Sequence, residues 1–371
     1  MKIDNLVFEL TQACNQSCRF CYNYWRDGST PLPGPDPVLA RKTLKKLLSQ
    51  TSVGTLAFSG GEPLLIPNIH DLALYARFKG CRVNVLTNGT LLTQDAVDNF
   101  KHIGLSAIQI PILSADPAVH DTLTNLPGSW RKATAAASMV VQAMPREACS
   151  VLVITRENAP GITETLELIK KLGISQVMVN RFNLGGMGLK NKSSLTLDRD
   201  TLKKAFADTE SFAAANPGIR FVSGVCTPIC VMDPAPYPHI RFTWCSTDFS
   251  RRPVAVSYTG DVRFCNHSPH IIGNIHQRSI SDILTDPVNI GRYATVPDHC
   301  RDCSLFPRCN GGCRAASEQV YGSFNLPDPV VEVSLLRSEA TKAASAASPF
   351  PAAPEGMGVT FKEVAKGLDV L

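Results

Sequence analysis

The sequence predicts an α/β protein: a mainly parallel sheet with helices packed outside it, followed by a smaller cysteine-rich α+β part. Three observations predict it. Strand-like apolar runs alternate with helical periods through the first 215 residues or so, the pattern of successive β-then-α units. After Asn216-Pro217-Gly218 prolines and cysteines rise and helical periodicity fades. The thirteen cysteines gather at short spacings, as metal ligands do and randomly placed core thiols do not.

In chain order, residues 3–10 read as the first strand. Asp36-Pro37 starts a helix, because Asp can cap and Pro is tolerated at the first helical position; Val38, Leu39, Leu44, Leu47 and Leu48 continue it at a helical period. Val53–Phe58 is the second strand, Asn68–Phe78 a helix closed by Gly80, Arg82–Leu86 the third strand, and Gln94–His102 a helix stopped by Gly104. Ala107–Leu113 is a fourth strand and Trp130–Ala143 a fourth helix. Ser150–Ile154 and Gln176–Asn180 are strands five and six, with a helix over Ile162–Leu172 between them, and Asp200–Ala214 is a last helix. Six such units suit an open doubly wound sheet or an incomplete barrel, and in either one ligands gather at the carboxyl ends of the strands. The loops after strands one, two and three therefore share a rim. Beyond the boundary near 216–222, Val254–Tyr258 and Val262–Cys265 form a hairpin around Thr259-Gly260-Asp261, and short helices follow at Ser279–Leu284 and near Pro287–Tyr293. Residues 340–356, rich in Ala, Ser and Pro, read as a linker before a short amphipathic helix at Thr360–Leu371. The expected division is 1–216, 217–335 and 336–371.

Composition bounds the function. An apolar content of 44% in 371 residues supports an ordinary core. The net charge of +5 is mild and scattered and argues neither for nor against a nucleic-acid or peptide partner; no nucleic-acid partner is expected. A secretory leader and a membrane-length apolar run are both lacking, and the expected location is the cytoplasm. There, so many cysteines read as ligands or catalytic groups rather than disulfides.

The rim loops carry the chemistry. Cys14, Cys18 and Cys21 stand within eight residues. Three thiolates cannot close a tetrahedral zinc site alone, but they can hold three irons of a [4Fe–4S] cube and leave the fourth iron open. The second strand ends in Phe58-Ser-Gly-Gly-Glu-Pro63. Together, Cys14-x3-Cys18-x-Phe20-Cys21 and Gly60-Gly61-Glu62-Pro63 resemble the radical S-adenosylmethionine (radical SAM) enzymes over residues 1 to about 215. The resemblance selects a partial (β/α)6 TIM-type barrel. Downstream, Cys245 is followed by fourteen residues, Gly260, four residues and Cys265; Cys300-x2-Cys303-x5-Cys309-x3-Cys313 comes later. This is similar to the SPASM domain, the C-terminal extension of radical SAM enzymes that carries auxiliary iron–sulfur clusters. Six of its seven cysteines are present. No cysteine follows Cys313, and Val331 of Asp328-Pro-Val-Val331 stands where the last would be.

The resemblance implies a set of roles. Cys14, Cys18 and Cys21 ligate the SAM cluster, Phe20 packs on adenine, and the Gly60–Pro63 turn binds the methionyl amine through backbone carbonyls. Asn88 and Ser114 lie on the rim for ribose or carboxylate contacts, with ordinary turn capping as the alternative, and Asn180 and Arg181 end strand six where relatives hold adenine or carboxylate. Pro111 replaces a serine that often contacts ribose in relatives. Cys245, Cys265 and Cys313 belong to a first auxiliary cluster completed by Cys226 or Cys230, with Cys230 preferred. Cys300, Cys303 and Cys309 belong to a second, whose fourth position is filled by Asp328 or another oxygen, left open, or lost with the cluster. Cys81 and Cys149 read as buried core thiols. No acid or base is assigned; His102, His120, Asp121, Glu157, Tyr258 and His267 qualify by residue type alone.

The implied activity is reductive cleavage of S-adenosylmethionine to a 5′-deoxyadenosyl radical that takes hydrogen from a peptide, leading to its oxidation or crosslinking. The implied partners are that peptide and an electron donor such as flavodoxin or ferredoxin. Strand one begins within a few residues of Met1, so a separate leader-binding protein, or the C-terminal tail, would recognise the peptide. Two alternatives stay open: the same radical chemistry on a small molecule or tetrapyrrole, and a cysteine-rich zinc-binding interaction module.

Overall fold

The computed structural model describes residues 1–26, 31–246, 248–249 and 252–331; the expected linker and terminal helix lie outside the described residues. Among the described residues eleven strands form a single sheet. They are β1 (Lys2–Glu9), β2 (Ser52–Ser59), β3 (Arg82–Leu86), β4 (Ala107–Pro111), β5 (Ala148–Ile154), β6 (Gln176–Arg181), β7 (Arg220–Ser223), β8 (Ile240–Phe242), β9 (Val254–Ser257), β10 (Asp261–Arg263) and β11 (Ile271–Asn274). Their spatial order is β11-β10-β9-β1-β2-β3-β4-β5-β6-β7-β8. From β9 through β8 every pairing is parallel. Only the β9–β10–β11 end is antiparallel.

The expected helices form where capping and periodicity placed them. Asp36 caps the helix Pro37–Gln50 by accepting from the Leu39 amide at 2.8 Å, and the helix buries Ala40, Thr43, Leu44, Leu47 and Leu48. Thr93 caps Gln94–Ile103, which ends at Gly104 with φ 76°, a left-handed cap that glycine adopts without strain. Asp116-Pro117 opens a helix, Pro117–Thr124, that apolar periodicity does not announce. Arg314–Tyr321, near the end of the described chain, is likewise unannounced.

Side chains alternate across the sheet. Phe8, Leu56, Phe58, Val83, Val85, Ile108, Ile110, Leu152, Ile154, Val177 and Val179 join the main core beneath the helices. The opposite face carries Asn5, Thr55, Asn84, Gln109 and Asn180, all buried polar groups, together with Ala57, Leu86, Pro111, Val151, Val153 and Met178. These residues line one cavity of about 410 Å³. Strands β1 to β8 all contribute to it, so the sheet wraps around the cavity. Its two edges, β11 and β8, are not paired to each other, and the architecture is a partial barrel.

The sheet runs past the expected boundary in both directions. Strands β7 and β8 extend it in parallel beyond β6, and β9 pairs with β1. Sequence did not announce β7, β8 or β11, because three or four residues are too few to show a period. The β1–β9 junction is fixed at its end by a buried ion pair, Arg263 to Glu9, with the Arg263 guanidinium 4.9 Å from the Tyr24 ring and 5.3 Å from the Trp25 ring. The hairpin that carries Cys265 is thereby joined to the strand that leads into the Cys14 loop. Among the described residues no helix is long and apolar enough to cross a membrane.

Candidate active site

The Cys14–Cys21 loop leaves β1 and sits over the cavity, which Cys14, Cys18, Phe20 and Cys21 line. The Gly60-Gly61 turn holds its base. The Gly61 amide donates to the Thr11 carbonyl at 2.7 Å, and the Glu62 amide to the Ala13 carbonyl at 2.8 Å. A β-carbon at Gly61 would lie 1.9 Å from the Ala13 oxygen, and one at Gly60, where φ is +124°, 2.2 Å from the Thr11 oxygen; this approach needs glycine twice. The Arg19 amide donates to the Leu123 carbonyl at 2.8 Å, and its guanidinium pairs with Glu157 at 2.8 Å.

The three thiols share one electrostatic environment. Burial raises the Cys18 thiol well above its usual range, and the Cys21 and Cys14 charges push the same way. Burial also raises Cys14 and Cys21, which the Arg26 charge offsets in part. Arg26 lines the cavity. One of its nitrogens donates to the Gln16 carbonyl at 2.5 Å; the other, Nη1, is a buried donor with no partner among the described residues.

The Gly60–Pro63 turn is held by side chains as well as by its backbone. Asn23 donates to the Gly60 carbonyl at 2.9 Å. The buried Glu62 carboxylate accepts from the Leu64 amide at 3.0 Å, Thr87 Oγ1 at 2.7 Å and the Asn88 amide at 2.8 Å, which ties the β2 loop to the β3 loop. Burial raises its pKa against those three bonds. Gly61, Glu62 and Asn88 line the cavity, whereas Gly60 and Pro63 do not reach its lining.

Asn88 both faces the cavity and caps its turn, accepting from the Thr90 amide at 2.9 Å. Ser114 does not reach the cavity lining. Its hydroxyl accepts from the Asp116 amide at 3.0 Å and its carbonyl from the Trp130 indole at 3.0 Å, so the rim contact expected of it gives way to the capping alternative. Asn180 reaches the cavity while accepting from the Gly224 and Val225 amides at 2.7 and 3.1 Å. Arg181 also lines it, but its guanidinium is held by a buried ion pair with Asp328 and by the Cys226 carbonyl at 2.8 Å.

That last contact leads to the downstream cysteines, where the structure corrects one expectation. Cys226, not Cys230, stands with Cys245: the neighbouring thiol is the largest influence on each of the two, lowering Cys245 and raising Cys226. Cys245 lies 2.8 Å from the Tyr293 hydroxyl and feels the positive Arg252 and Arg314. The Cys265 and Cys313 thiols join this group, each raised first by burial; Arg252 lowers Cys265 in part, Asp328 adds to the rise of Cys313, and the Cys245 charge raises both. Asn183 donates to Cys313 Sγ at 3.3 Å. Nε of Arg252 and Nε and Nη1 of Arg314 are buried donors without partners among the described residues. Cys230 lies instead with the other group: burial raises its thiol to about 11, and the Cys309, Cys300 and Cys303 charges add to the rise. Local spacing could not separate two cysteines four positions apart; the turn between them does. Cys81 and Cys149 are buried away from both groups, as expected of core thiols.

Of the groups that qualified by type, only His267 reaches the cavity. Its ring packs at a tilt of 37° against Tyr22, with centroids 3.7 Å apart, and its Nδ1 lies 2.6 Å from Asn183 Nδ2. Burial, with Arg181 and Arg263, lowers its pKa to about 3, so the ring is neutral. Asp121 caps the helix Ser129–Ala143 through the Gly128 and Trp130 amides, and His102 bonds the Asp98 carbonyl on its own helix. Sequence reasoning missed Asn23, Arg26, Asn183 and Gln319. Gln319 donates to the Tyr22 carbonyl at 3.0 Å and the His267 carbonyl at 2.6 Å, stitching the cluster loop to the C-terminal hairpin across nearly the whole chain. No local signal marks such a residue. The polar inner-face positions Asn5, Asn84 and Gln109 do carry one, since parallel strands buried on both faces are ordinarily apolar throughout.

Comparison with known proteins gives the class. The radical SAM superfamily model matches residues 8–169, and the SPASM model, an iron–sulfur cluster-binding domain, matches residues 245–304. The chain therefore carries a radical SAM domain followed by a SPASM domain. It is 28% identical to the PqqA peptide cyclase of Xanthomonas axonopodis pv. citri (strain 306) over 94% of this chain and 93% of that protein. It is also 28% identical to the PqqA peptide cyclase of Gluconobacter oxydans (strain 621H) over 89% and 90%. Among solved structures it resembles Streptococcus suis SuiB bound to S-adenosylmethionine (TM-score 0.67, 15% identity, 88% of this chain and 77% of that one). It also resembles anSMEcpe with bound S-adenosylmethionine (TM-score 0.65, 16% identity, 98% and 99%). The cofactors of the class are a [4Fe–4S] cluster with S-adenosylmethionine and auxiliary iron–sulfur clusters.

The donors present fit these groups. The thiols of each set are buried or half-buried apart from Cys230, and burial with neighbouring negative charge raises Cys18 in one set and Cys313 in another, a cost that iron binding in place of protons removes. Partnerless arginine donors beside both Cys18 and Cys245 suit an anionic cluster. Among the described residues no three Cys, His, Asp or Glu side chains converge on a single-ion site; the ligands of an iron–sulfur cube are spread wider than those of one ion.

Proposed function

We propose that this enzyme matures a ribosomally made peptide by oxidative crosslinking. The observation that carries the reading is one cavity lined at the same time by Cys14, Cys18 and Cys21, and by Asn266 and His267 beside Cys265. A substrate held there lies between the loop that would hold the radical-generating cluster and an auxiliary set of thiols whose iron–sulfur cluster, when bound, would accept an electron. The kinship with peptide cyclases along nearly the full length supports a peptide as that substrate.

In this reading Cys14, Cys18 and Cys21 hold the SAM cluster. Cys226, Cys245, Cys265 and Cys313 hold the first auxiliary cluster, and Cys300, Cys303 and Cys309 serve the second. Bound there, the cluster and S-adenosylmethionine supply the 5′-deoxyadenosyl radical that removes a hydrogen atom from an unactivated carbon. Phe20, Gly61, Glu62, Asn88 and Asn180 place the adenosyl and methionyl parts along the rim. Glu62 works by keeping the β2 and β3 loops in register, and Arg181 by bracing Cys226 rather than by reaching the carboxylate. The apolar walls, Leu86, Val151, Val153, Met178 and Val222, exclude water and protect the radical. The division of the chain is a core over 1–216, an auxiliary-cluster region over 217–335 and a tail. A separate leader-binding protein and a flavodoxin or ferredoxin complete the system in the cytoplasm.

The test is anaerobic turnover of the reconstituted enzyme with S-adenosylmethionine, a reductant and candidate precursor peptides. The expected product has lost the mass of a pair of hydrogen atoms per crosslink, and 5′-deoxyadenosine rises with it. Peptide mass unchanged for every candidate, with 5′-deoxyadenosine raised by a small molecule alone, would turn the reading to small-molecule oxidation.

A further inference from the structure

The seventh cysteine of the auxiliary pattern is missing, and the structure shows what stands near its place. Val331 is an apolar, buried residue whose amide is bonded to the Asp328 carbonyl at 2.9 Å. Asp328 is buried too, but its carboxylate is taken up by Arg181, by the Cys313 amide at 2.7 Å and by the Val330 amide at 3.0 Å. Neither side chain offers a donor to Cys300, Cys303 and Cys309.

The turn Pro228–Met232 does. The Val231 and Met232 amides bond the Pro228 carbonyl at 2.9 and 3.1 Å. Arg199 holds the far side through the Cys230 carbonyl at 3.1 Å and the Val231 carbonyl at 2.9 Å. The Ile229 amide, next to Cys230, donates to Cys309 Sγ at 3.4 Å, and Pro228 lies against Gly312, where a β-carbon would come within 2.5 Å of its ring. The turn is therefore docked on the segment that carries Cys309, and the three thiols of that segment are the charges that Cys230 feels. Cys230 is also the one exposed cysteine of the thirteen, an unusual place for a thiol with no ligand role.

We propose that Cys230 is the fourth ligand of the second auxiliary cluster, standing in from upstream for the cysteine that this chain lacks after Cys313. The inference rests on the radical SAM and SPASM reading. It accounts for all thirteen cysteines: three in the open cluster loop, four in each auxiliary site, and Cys81 and Cys149 in the core. With four thiolates apiece, neither auxiliary site keeps an iron for substrate, and both are left the role of electron acceptors.

The experiment is thiol footprinting of the full chain by alkylation and mass spectrometry, with iron counted per chain. In metal-free protein Cys230 is labelled; after anaerobic reconstitution it is protected. Cys303→Ala exposes Cys230 to label while Cys245→Ala leaves it protected, and Cys230→Ala lowers iron by up to about four per chain, one cube. Adding Cys303→Ala to Cys230→Ala lowers it no further. Because Cys230 is exposed, its removal spares the core, and circular dichroism checks this. Several results overturn the proposal: Cys230 labelled in reconstituted wild type, Cys230 released by Cys245→Ala instead of Cys303→Ala, or Cys230→Ala with unchanged iron and an unchanged cluster spectrum. Wild type with about eight irons and intact 5′-deoxyadenosine formation also overturns it, yet leaves the radical reading standing. Zinc in place of iron, with no cleavage of S-adenosylmethionine, sinks both.

Discussion

The two cysteine regions of this molecule are built in opposite ways. The Cys14–Cys21 thiols come from a single loop, and two glycines bring the neighbouring turn close enough to hold it. The downstream thiols are drawn from four separate segments around 226–230, 245, 265 and 300–313. They are held by side chains, among them Arg181, Asn183, Tyr293 and Arg199. A local loop can leave one corner open because nothing else needs to arrive there. A non-local site is closed by whichever segment the fold delivers. The difference teaches that a short motif reports a site only when one segment builds it.

The sharpest break between the regions comes from removing one thiol in each. Cys18→Ala is expected to abolish 5′-deoxyadenosine formation and to lower iron by about four per chain. Cys245→Ala is expected to keep 5′-deoxyadenosine formation while losing the peptide product. Loss of cleavage in both variants would mean that the regions do not work separately.

Gly61→Ala tests the close approach beneath the loop. Its β-carbon would meet the Ala13 oxygen at 1.9 Å, and backbone must move, so a loss of about 3 kcal/mol or more is expected, with poor iron retention. A denaturation midpoint within error of wild type would show that the loop is not anchored there.

Glu62→Ala removes an acceptor from three donors in the same region. The expected cost is about 2 kcal/mol from the unsatisfied amides and hydroxyl, with a raised KM for S-adenosylmethionine. An unchanged KM would limit Glu62 to structural support.

His120 gives a prediction of similar size away from both regions. Its ring accepts a hydrogen bond from the Leu113 amide at 3.2 Å, and burial lowers its pKa from 6.5 to about 4. The unfolded chain therefore binds a proton more readily than the folded one between these values. The stability tied to the neutral ring is present above pH 6.5 and falls as pH drops through the window. Between pH 7 and pH 5 the loss is about 2 kcal/mol. The denaturant midpoint of His120→Gln should vary less over that range than that of wild type.

The smallest effect expected is that of Gln319→Ala, about 1 kcal/mol for its bonds between the cluster loop and the hairpin. Its mark is a faster loss of iron from the SAM cluster during denaturant titration.

Much of the fold was legible because its signals are local. Asp36 and Thr93 cap helices where apolar periods begin, Gly104 ends one, and the parallel strands announce themselves as short apolar runs. The helix Pro117–Thr124 had only its Asp116-Pro117 start, and β7, β8 and β11 are too short for a pattern. At the site, the position of the Cys14 loop on the rim followed from its place after β1. Ser114 lies on the right strand connection, but hydrogen bonds to its own turn and to Trp130 hold it off the cavity. Arg181 stands at the right strand end, yet its charge is matched by Asp328, which is far away in sequence.

The sequence by itself determined the alternation of strands and helices, the three-thiol loop, the glycine turn beneath it and the class of chemistry, since each depends on residues a few positions apart. Tertiary structure alone decided that Cys226 joins Cys245 and Cys230 joins Cys309, that Glu62 ties two rim loops together, and that Gln319 reaches back to Tyr22. Those pairings depend on how one turn and one late helix dock on the sheet. Docking is settled by the packing and charge of the whole chain, and no short stretch of residues encodes it.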